Sequence, residues 1–180
     1  MRRINELRLP NEVMVRQKPL FVRYSQMKHC IPVALLLITI SGCGKSMPDT
    51  LVKSGYDKQE MEAAIARARR EVDSFIAELS SPTGTEHAVK APIEDGGKTE
   101  HFWLTDVSFQ NGNFKGTINN DPGIVGNVKF EQEWTIGKTE ISDWMFMRDG
   151  KMYGNYTMRP LLKTMPEEEA KQYRSLLADP

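Results

Sequence analysis

Ser142, Asp143 and His101 are the residue types of a serine hydrolase triad. Such a triad needs a serine hydroxyl in reach of the imidazole, and a carboxylate that orients the imidazole. Ser142 and Asp143 are adjacent, so on a strand their side chains point to opposite faces. The chain also has no GxSxG, HExxH or glycine-rich phosphate loop. These patterns argue against a hydrolase, and an enzyme that uses His101 and Asp143 is the least supported hypothesis.

Metal and thiol chemistry have little support in the sequence. His101 and His87 have no acidic or cysteine residues around them in a ligand pattern, so we predict no metal and no cofactor. The cysteines are Cys30 and Cys43. Cys30 lies inside the predicted signal peptide described below and Cys43 is the predicted acylation site, which leaves no thiol nucleophile and no disulfide for the folded part.

A second polar set favours binding rather than catalysis. A hairpin turn at Asp149-Gly150 would bring Asp143 and Arg159 onto neighbouring strands, where they could pair. One hypothesis is a small polar pocket with an aromatic rim, of the kind that binds peptides or small ligands. The alternative is a buried Asp–Arg pair that fixes the hairpin, with the tryptophans in the core. The candidate binding residues are His101, Trp103, Asp143, Trp144, Asn155, Tyr156 and Arg159, with Tyr153 as a further rim residue.

One helix and a series of hairpins must position these residues. Apolar residues recur at spacings of three and four over 57–79, which predicts an amphipathic helix with a capping box from Asp57 to Glu60. Three arginines, Arg67, Arg69 and Arg70, lie off the apolar stripe and are predicted to face solvent. Ser81-Pro82 ends the helix.

Short alternating segments follow the helix. We predict strands at 87–91, 100–110, 114–119, 129–136, 141–147 and 152–159, of which the first is the weakest, and a closing helix at 166–177. Asn111-Gly112 and Asp149-Gly150 are hairpin turns. Strands without intervening helices predict an α+β fold: a long N-terminal helix packed on a small antiparallel sheet of about five strands, with a short C-terminal helix.

The segment 27–46, MKHCIPVALLLITISGCGKS, indicates where the protein is located. Its apolar run, 31–40, is too short to span a bilayer and suits a secretory signal. The sequence Ile40-Ser41-Gly42-Cys43 resembles a lipobox, which implies that Cys43 is acylated and becomes the first mature residue. Gly44 in place of an aspartate implies the outer membrane, with the protein facing the periplasm. A buried strand or helix is the alternative interpretation of this run.

These signals divide the chain. Residues 1–26 are predicted to be an over-long gene start, with a genuine long signal extension as the alternative, so that translation begins at Met27. The signal peptide is 27–42, a polar tether is 43–56 and the globular domain is 57–180. Residues 1–42 hold seven basic and two acidic residues out of 24 of each, which leaves 17 basic and 22 acidic residues and a net charge of −5. An acidic domain of this kind lacks the excess of positive charge that binding to nucleic acid phosphates requires.

Three motifs carry a family resemblance: EHFW at 100–103, ISDWMF at 141–146 and GNYTMR at 154–159, with GTINN at 116–120 between them. Together they resemble the DUF2314 (YegJ-like) family of bacterial proteins, over about residues 57–165. The family is one of unknown function, so the resemblance supports the domain boundaries and implies no reaction.

The sequence therefore favours a non-catalytic, lipid-anchored module that binds a protein partner in the periplasm. An immunity-like role, in which the domain blocks a toxin, is one concrete version. The alternative is a sensor of a small ligand or a component of the response to envelope stress.

Overall fold

A computed structural model describes residues 13–17 and 50–52 by their backbone and residues 55–178 in full. Cys43 and the signal peptide at 27–42 lie outside the described residues. The elements are β1 (Val13–Gln17), β2 (Thr50–Val52), α1 (Lys58–Ser80), β3 (Thr85–Asp95), β4 (Lys98–Gln110), β5 (Asn113–Ile118), β6 (Glu133–Gly137), β7 (Asp143–Arg148), β8 (Lys151–Gly154), α2 (Met158–Leu162) and α3 (Glu167–Leu176).

Helix α1 begins at a side-chain cap and buries one face. The Asp57 carboxylate accepts hydrogen bonds from the backbone N–H groups of Gln59 and Glu60, at 2.8 and 3.1 Å, as an aspartate N-cap does. Its buried residues Ala68, Val72 and Phe75 pack against the sheet, whereas the buried Met61 packs against Leu161 of α2. The indole Nε1 of Trp144 on β7 donates to the carbonyl oxygen of Ala68 over 2.9 Å, which joins the helix to the sheet.

Six antiparallel strands, β3 to β8, form the sheet within residues 55–178, in the spatial order β6-β5-β4-β3-β7-β8. Along one edge, β4 pairs first with β1, in parallel, and then with β5. Its other edge pairs with β3. The segments β1 and β2 fall in the ranges predicted as a gene-start extension and a tether.

The hairpin from β7 to β8 turns where the sequence predicts, but it is shorter than predicted. Asp149 and Gly150 both have positive φ, +51° and +72°, as a type I′ turn requires. The returning strand ends at Gly154, whereas the prediction continued it to Arg159. Gly154 and Asn155 have φ of +73° and +45°, and two consecutive residues in this region cannot continue a strand. Arg159 therefore lies on α2.

The α+β class, the antiparallel sheet and the C-terminal helix are confirmed. The sheet of residues 55–178 has six strands instead of about five, because β3 and β6 both pair fully with neighbours. Helix α3 follows Pro166 and has three glutamates in its first turn, which suits the helix dipole. Within the part of the chain that the structure describes, no helix has the length and apolarity needed to cross a membrane.

Candidate functional site

A row of three buried residues crosses the middle of the sheet. Lys90 on β3 is paired with Trp103 on β4 and with Asp143 on β7. The Lys90 ammonium lies 4.4 Å from the centroid of the Trp103 ring. Lys90 and Asp143 are fully buried and Trp103 is 6% exposed. The chain thus places a charged pair inside its core, where water cannot solvate either group.

Thr157 joins the two charges. Its hydroxyl accepts a hydrogen bond from Lys90 Nζ and donates one to Asp143 Oδ2, each over 2.6 Å. The backbone N–H groups of Trp144, Tyr156 and Thr157 also donate to the Asp143 carboxylate, over 2.8–3.2 Å. These bonds hold the turn that follows β8 against the start of β7.

Burial shifts the pKa of both charged groups. It lowers the pKa of Lys90 to about 8, although the negative charge of Asp143 opposes the shift. Burial also raises the pKa of Asp143, and the Lys90 charge and the Thr157 hydrogen bonds offset part of that rise. The predicted Asp143–Arg159 pair is therefore wrong: the cation that acts on Asp143 is Lys90. Arg159 instead donates to the backbone carbonyls of Gly154 and Ala178, each over 3.0 Å.

His101 and Ser142 are in contact next to this row. Nδ1 of His101 lies 2.8 Å from Ser142 Oγ, and the two residues are 6% and 1% exposed. Burial and then the positive charges of Lys90 and Arg69 lower the pKa of His101 to about 3, so its imidazole is neutral near pH 7. The Asp143 carboxylate is bonded to Thr157 and to backbone N–H groups. Ser142, His101 and Asp143 therefore do not form the hydrogen-bonded chain of a serine hydrolase triad.

A separate open cavity lies between α1 and the β7–β8 hairpin and encloses about 290 Å³. We call it the arginine–aromatic cleft. The lining residues from α1 recur on one helical face, and those from β7 alternate along the strand. They are Arg67, Glu71, Ser74 and Glu78 from α1, Trp144, Phe146 and Arg148 from β7, and Tyr153, Gly154, Tyr156, Arg159 and Ala178 beyond it.

Three guanidinium groups of the cleft lie over aromatic rings. Those of Arg67 and Arg159 lie 4.5 and 5.2 Å from the centroid of the Tyr156 ring. The guanidinium of Arg148 lies 4.9 Å from the Phe146 ring and 5.2 Å from the Tyr153 ring. The Phe146 and Tyr153 rings are stacked with centroids 5.1 Å apart. Cation–π contacts of this kind fix the position of an arginine while its N–H edge remains available.

Two carboxylates hold the arginines in place. Glu71 accepts from Arg67 Nε over 2.8 Å and from the Tyr156 hydroxyl. Glu78 accepts from Arg148 Nη2 over 2.6 Å. It also accepts from the N–H groups of Thr83 and Gly84, over 2.8 and 2.7 Å.

These bonds set the pKa values in the cleft. Burial tends to raise the pKa of Glu78, but the hydrogen bonds that it accepts outweigh burial and lower it to about 2. Burial and the bond to Glu71 raise the pKa of Tyr156 to about 12. For Glu71, burial is likewise outweighed by the bonds from Tyr156 and Arg67, so its pKa is lowered.

The structure divides the predicted binding residues between these two places. Trp144, Tyr156 and Arg159 line the cleft, as does the rim residue Tyr153. Trp103 and Asp143 belong to the buried row, and His101 lies next to it. These residues lie on the opposite side of the sheet from the hydrophobic core that contains Trp144. Asn155 is buried in the turn, where its Nδ2 contacts Met152 Sδ over 2.9 Å.

Four charged lining residues were missed from the sequence, as were Ser74, Phe146, Gly154 and Ala178. Arg67 was assigned to a solvated helix face, and Glu71, Glu78 and Arg148 were not considered. A usable signal was present, because Arg67, Glu71, Ser74 and Glu78 form a polar series at helical spacing directly beside the apolar stripe. Among the described residues, no group of three or more His, Cys, Asp or Glu side chains lies together as a metal site would require.

Comparison with known proteins identifies the family. Residues 58–178 match the sequence model of DUF2314, a family of uncharacterized proteins conserved in bacteria. The chain belongs to the DUF2314 family. It is 53% identical over 150 residues to the uncharacterized protein YegJ of Escherichia coli strain K12, a match that covers 83% of this chain and 97% of YegJ.

A second relative of this DUF2314 chain is a protein of Neisseria meningitidis serogroup B described as a putative ankyrin repeat protein. It is 36% identical over 89 residues, which cover 47% of this chain and 35% of that protein. No solved structure matches the chain. In this DUF2314 domain the 141–146 and 154–159 motifs build one wall of the cleft, because Trp144, Tyr156 and Arg159 line it while Asp143 and Thr157 hold it from behind.

Proposed function

We propose that the protein is a non-catalytic binding module of the bacterial cell envelope that recognises a protein partner through the arginine–aromatic cleft. One observation carries this proposal: three guanidinium groups and four aromatic rings surround a single open cavity of about 290 Å³. In this proposal the long helix α1 forms one wall of the cleft. An acylated Cys43 anchors the domain to the periplasmic face of the outer membrane, and residues 43–56 form the tether between the two.

The protonation states in the cleft support binding over catalysis. General acid–base catalysis works best when a group titrates near the working pH. The cleft pKa values lie far from neutrality, at about 2 for Glu78 and about 12 for Tyr156. Lys90 and His101 have shifted pKa values as well, but they are not among the residues that line the cleft.

The composition of the cleft supports a protein partner. Tryptophan, tyrosine and arginine are the residues most enriched at the energetic centres of protein interfaces. The cleft presents all three, and its arginines are already ordered by stacking and by the bonds to Glu71 and Glu78. Less conformational entropy is therefore lost when a partner binds. If the role is immunity-like, a neighbouring gene that encodes a secreted effector would identify that effector as the expected partner.

Site-specific cross-linking tests the proposal. Ser74 and Glu62 are both exposed on α1, but only Ser74 lines the cleft. We expect a photo-reactive phenylalanine at position 74 of the full chain to cross-link a partner of defined mass in living cells, and the same residue at 62 not to do so. The product should disappear in the double variant Arg67→Gln and Arg148→Gln. Equal products from both positions, or a product that survives the double variant, would rule out the cleft.

One observation favours a small-ligand sensor as the second candidate. The cleft volume of about 290 Å³ is close to the lower end of small-ligand pockets, about 300 Å³. Thermal-shift screening of small ligands separates the two candidates. A compound that raises the melting temperature of the wild-type protein but not of the double arginine variant would favour the sensor.

A further inference from the structure

Strand β1 covers one edge of β4. Residues 13–15 of β1 pair in parallel with residues 99–101 of β4. On the same edge, the pairing of β4 with β5 begins at Leu104, opposite Ile118. In the part of the chain that the structure describes, β1 is therefore the strand that lies beside residues 99–101 on this side. Strand β2 pairs in turn with the far side of β1.

The backbone groups on this edge can be assigned from Trp103. Its N–H donates to Asn120 Oδ1 over 3.1 Å, and its carbonyl oxygen accepts from the N–H of Asn119 over 2.9 Å, so both groups point away from β3. Along a strand, alternate residues direct their N–H and C=O groups to the same side, and β3 pairs with β4 in one unbroken register over this stretch. Thr99 and His101 therefore present their N–H and C=O groups at the edge that β1 covers.

Cleavage of the signal peptide, which the proposed function includes, uncovers this edge. Residues 13–17 precede Cys43, so a mature chain that begins at an acylated Cys43 lacks β1 but keeps β2 at residues 50–52. The backbone groups of Thr99 and His101 then lose their strand partner. An uncovered strand edge is a template on which another chain can pair.

The edge is held in place from both faces of the sheet. Glu100 is fully buried and accepts hydrogen bonds from the N–H groups of Gly123 and Ile124, each over 2.9 Å. His101 points to the opposite face, as successive strand residues do, and contacts Ser142 over 2.8 Å. This stretch of β4 is therefore ordered before a strand arrives, which lowers the entropic cost of binding.

The same neighbours favour an uncharged strand. Paired residues share a face of the sheet, so an acidic residue opposite Glu100 would be repelled. A charged residue opposite His101 would lose its hydration beside a buried imidazole that is neutral near pH 7. Proline opposite Glu100 would lack the N–H that reaches the Thr99 carbonyl. Residues 13–15, with the sequence Val-Met-Val, contain neither a charge nor a proline.

We propose, building on the proposed function, that removal of residues 1–42 uncovers residues 99–101 of β4 and that an extended, uncharged segment of the partner takes the place of β1, parallel to β4. The added strand would lie between β4 and β2, because β2 pairs with the far side of β1. Main-chain hydrogen bonds supply affinity in strand addition of this kind. A second copy of the chain suits the edge less well, since two copies of one edge related by a two-fold axis pair antiparallel, whereas β1 pairs in parallel.

Binding of a strand peptide to the mature lipoprotein tests this proposal. The probe is acetyl-Asn-Glu-Val-Met-Val-Arg-Gln-amide, which copies residues 11–17, and its control carries an N-methyl group on the methionine. The protein is purified from membranes in detergent, and its mass shows whether it begins at Cys43. We expect the probe to bind, and the N-methyl peptide to bind about tenfold more weakly, the factor for one lost hydrogen bond of about 1.4 kcal/mol.

Hydrogen exchange at single residues locates the bound peptide. The backbone N–H groups of Thr99 and His101 should exchange about tenfold more slowly when the probe is bound, and those of α3 should not change. Thr99→Pro removes an N–H from the open edge without removing a bond to β3, so it should weaken the probe. Thr99→Val keeps that N–H and is the control. If Thr99→Pro does not fold, the N-methyl peptide makes the same test on the wild-type protein.

The unprocessed chain shows whether β1 competes for the edge. Cys43→Ala in a chain expressed from Met1 keeps residues 1–42 attached, and an attached strand competes at high effective concentration, so the probe should bind at least about tenfold more weakly than to the lipoprotein. Adding Met14→Pro removes the N–H of β1 that faces Thr99 and should restore binding of the probe. Adding Met14→Leu keeps that N–H and should not restore it.

The outcomes separate this inference from the proposed function. Equal affinities for the two peptides, or no protection of Thr99 and His101, would overturn strand addition even if position 74 cross-links a partner. Protection of both residues without a cross-link from position 74 would support strand addition and contradict recognition through the cleft. A purified lipoprotein that retains residues 13–17 would overturn the uncovering of the edge. A mature protein that is a dimer and binds no probe would assign the edge to a second copy instead.

Discussion

Lys90 and Thr157 are joined by a hydrogen bond of 2.6 Å from ammonium to hydroxyl, although 67 residues separate them in the chain. The same hydroxyl links Lys90 to Asp143. Strand β3, the start of β7 and the turn after β8 therefore meet at one buried point. That turn carries Tyr156 and leads to Arg159, so the buried row fixes part of the cleft from behind.

Removal of one charge from this row should destabilise the fold. Lys90→Met leaves the Asp143 carboxylate without its cation, and we expect a loss of about 3–5 kcal/mol in the free energy of unfolding. Adding Asp143→Asn removes the bare charge and should restore part of that loss. Urea denaturation of the single and double variants measures both effects. A double variant less stable than Lys90→Met would contradict the coupling.

Glu78 should make stability depend on pH in acid. Its pKa is about 2 in the folded protein, below the ordinary 4.5, so the unfolded state binds the proton more readily. The stabilisation is therefore complete above pH 4.5 and is lost as the pH falls from 4.5 towards 2. Glu78→Gln should flatten the dependence of unfolding free energy on pH in that window. The control Glu62→Gln, on the exposed part of α1, should keep the wild-type slope.

The bond between Tyr156 and Glu71 should contribute measurably to stability. Tyr156→Phe keeps the ring under Arg67 but deletes the hydroxyl that donates to Glu71. A hydrogen bond to a charged group is worth about 1.5–3 kcal/mol, and we expect a loss of that size in thermal or urea unfolding. Tyr173→Phe should cost less than about 0.5 kcal/mol. Equal effects of the two variants would show that the Glu71 bond contributes nothing.

Gly154 should tolerate no side chain. Its φ is +73°, and a Cβ there would lie 2.6 Å from Cε3 of Trp144 and still closer to the Trp144 carbonyl oxygen. Gly154→Ala should therefore cost more than about 2 kcal/mol and displace Trp144 from the cleft wall. Gly96 also has positive φ, +55°, but nothing lies within 4 Å of its Cβ position. Gly96→Ala should cost about 1 kcal/mol, so a similar cost at both sites would contradict the close approach at Gly154.

Lipid attachment at Cys43 is tested by metabolic labelling. We expect the wild-type chain to incorporate labelled palmitate and to fractionate with the outer membrane, and Cys43→Ala to do neither. N-terminal sequencing of the precursor in the same cells shows whether translation begins at Met27. Unlabelled wild-type protein would remove the envelope location from the proposed function while leaving the cleft chemistry to be tested separately.

Local patterns predicted the elements better than they predicted the site. The turns at Asn111-Gly112 and Asp149-Gly150 depend on residues that accept positive φ, which short-range sequence reveals. The end of β8 was missed because Asn155 takes positive φ in a turn held by contacts to Asp143, which no local pattern records. That error carried Arg159 onto a strand and paired it with the wrong partner.

The cleft depends on residues that are distant in the chain. Arg67 was predicted to be solvated because helical periodicity cannot show that Tyr156 lies against that face. Lys90 was overlooked for the reverse reason, since a lysine on a strand is ordinarily exposed and only the neighbours Trp103 and Asp143 explain its burial. The tryptophans could not be assigned to core or surface from sequence, and both Trp103 and Trp144 are buried.

The hydrogen bonds of Asp143 also bear on the order in which the chain folds. They close loops of only 13 and 14 residues, to the N–H groups of Tyr156 and Thr157. By contrast, the contacts that join the two walls of the cleft, Tyr156 to Glu71 and Trp144 to Ala68, span 85 and 76 residues. Short loops close at lower entropic cost and sooner. The β7–β8 hairpin is therefore expected to form early, whereas the recognition surface is completed only when α1 docks, late in folding.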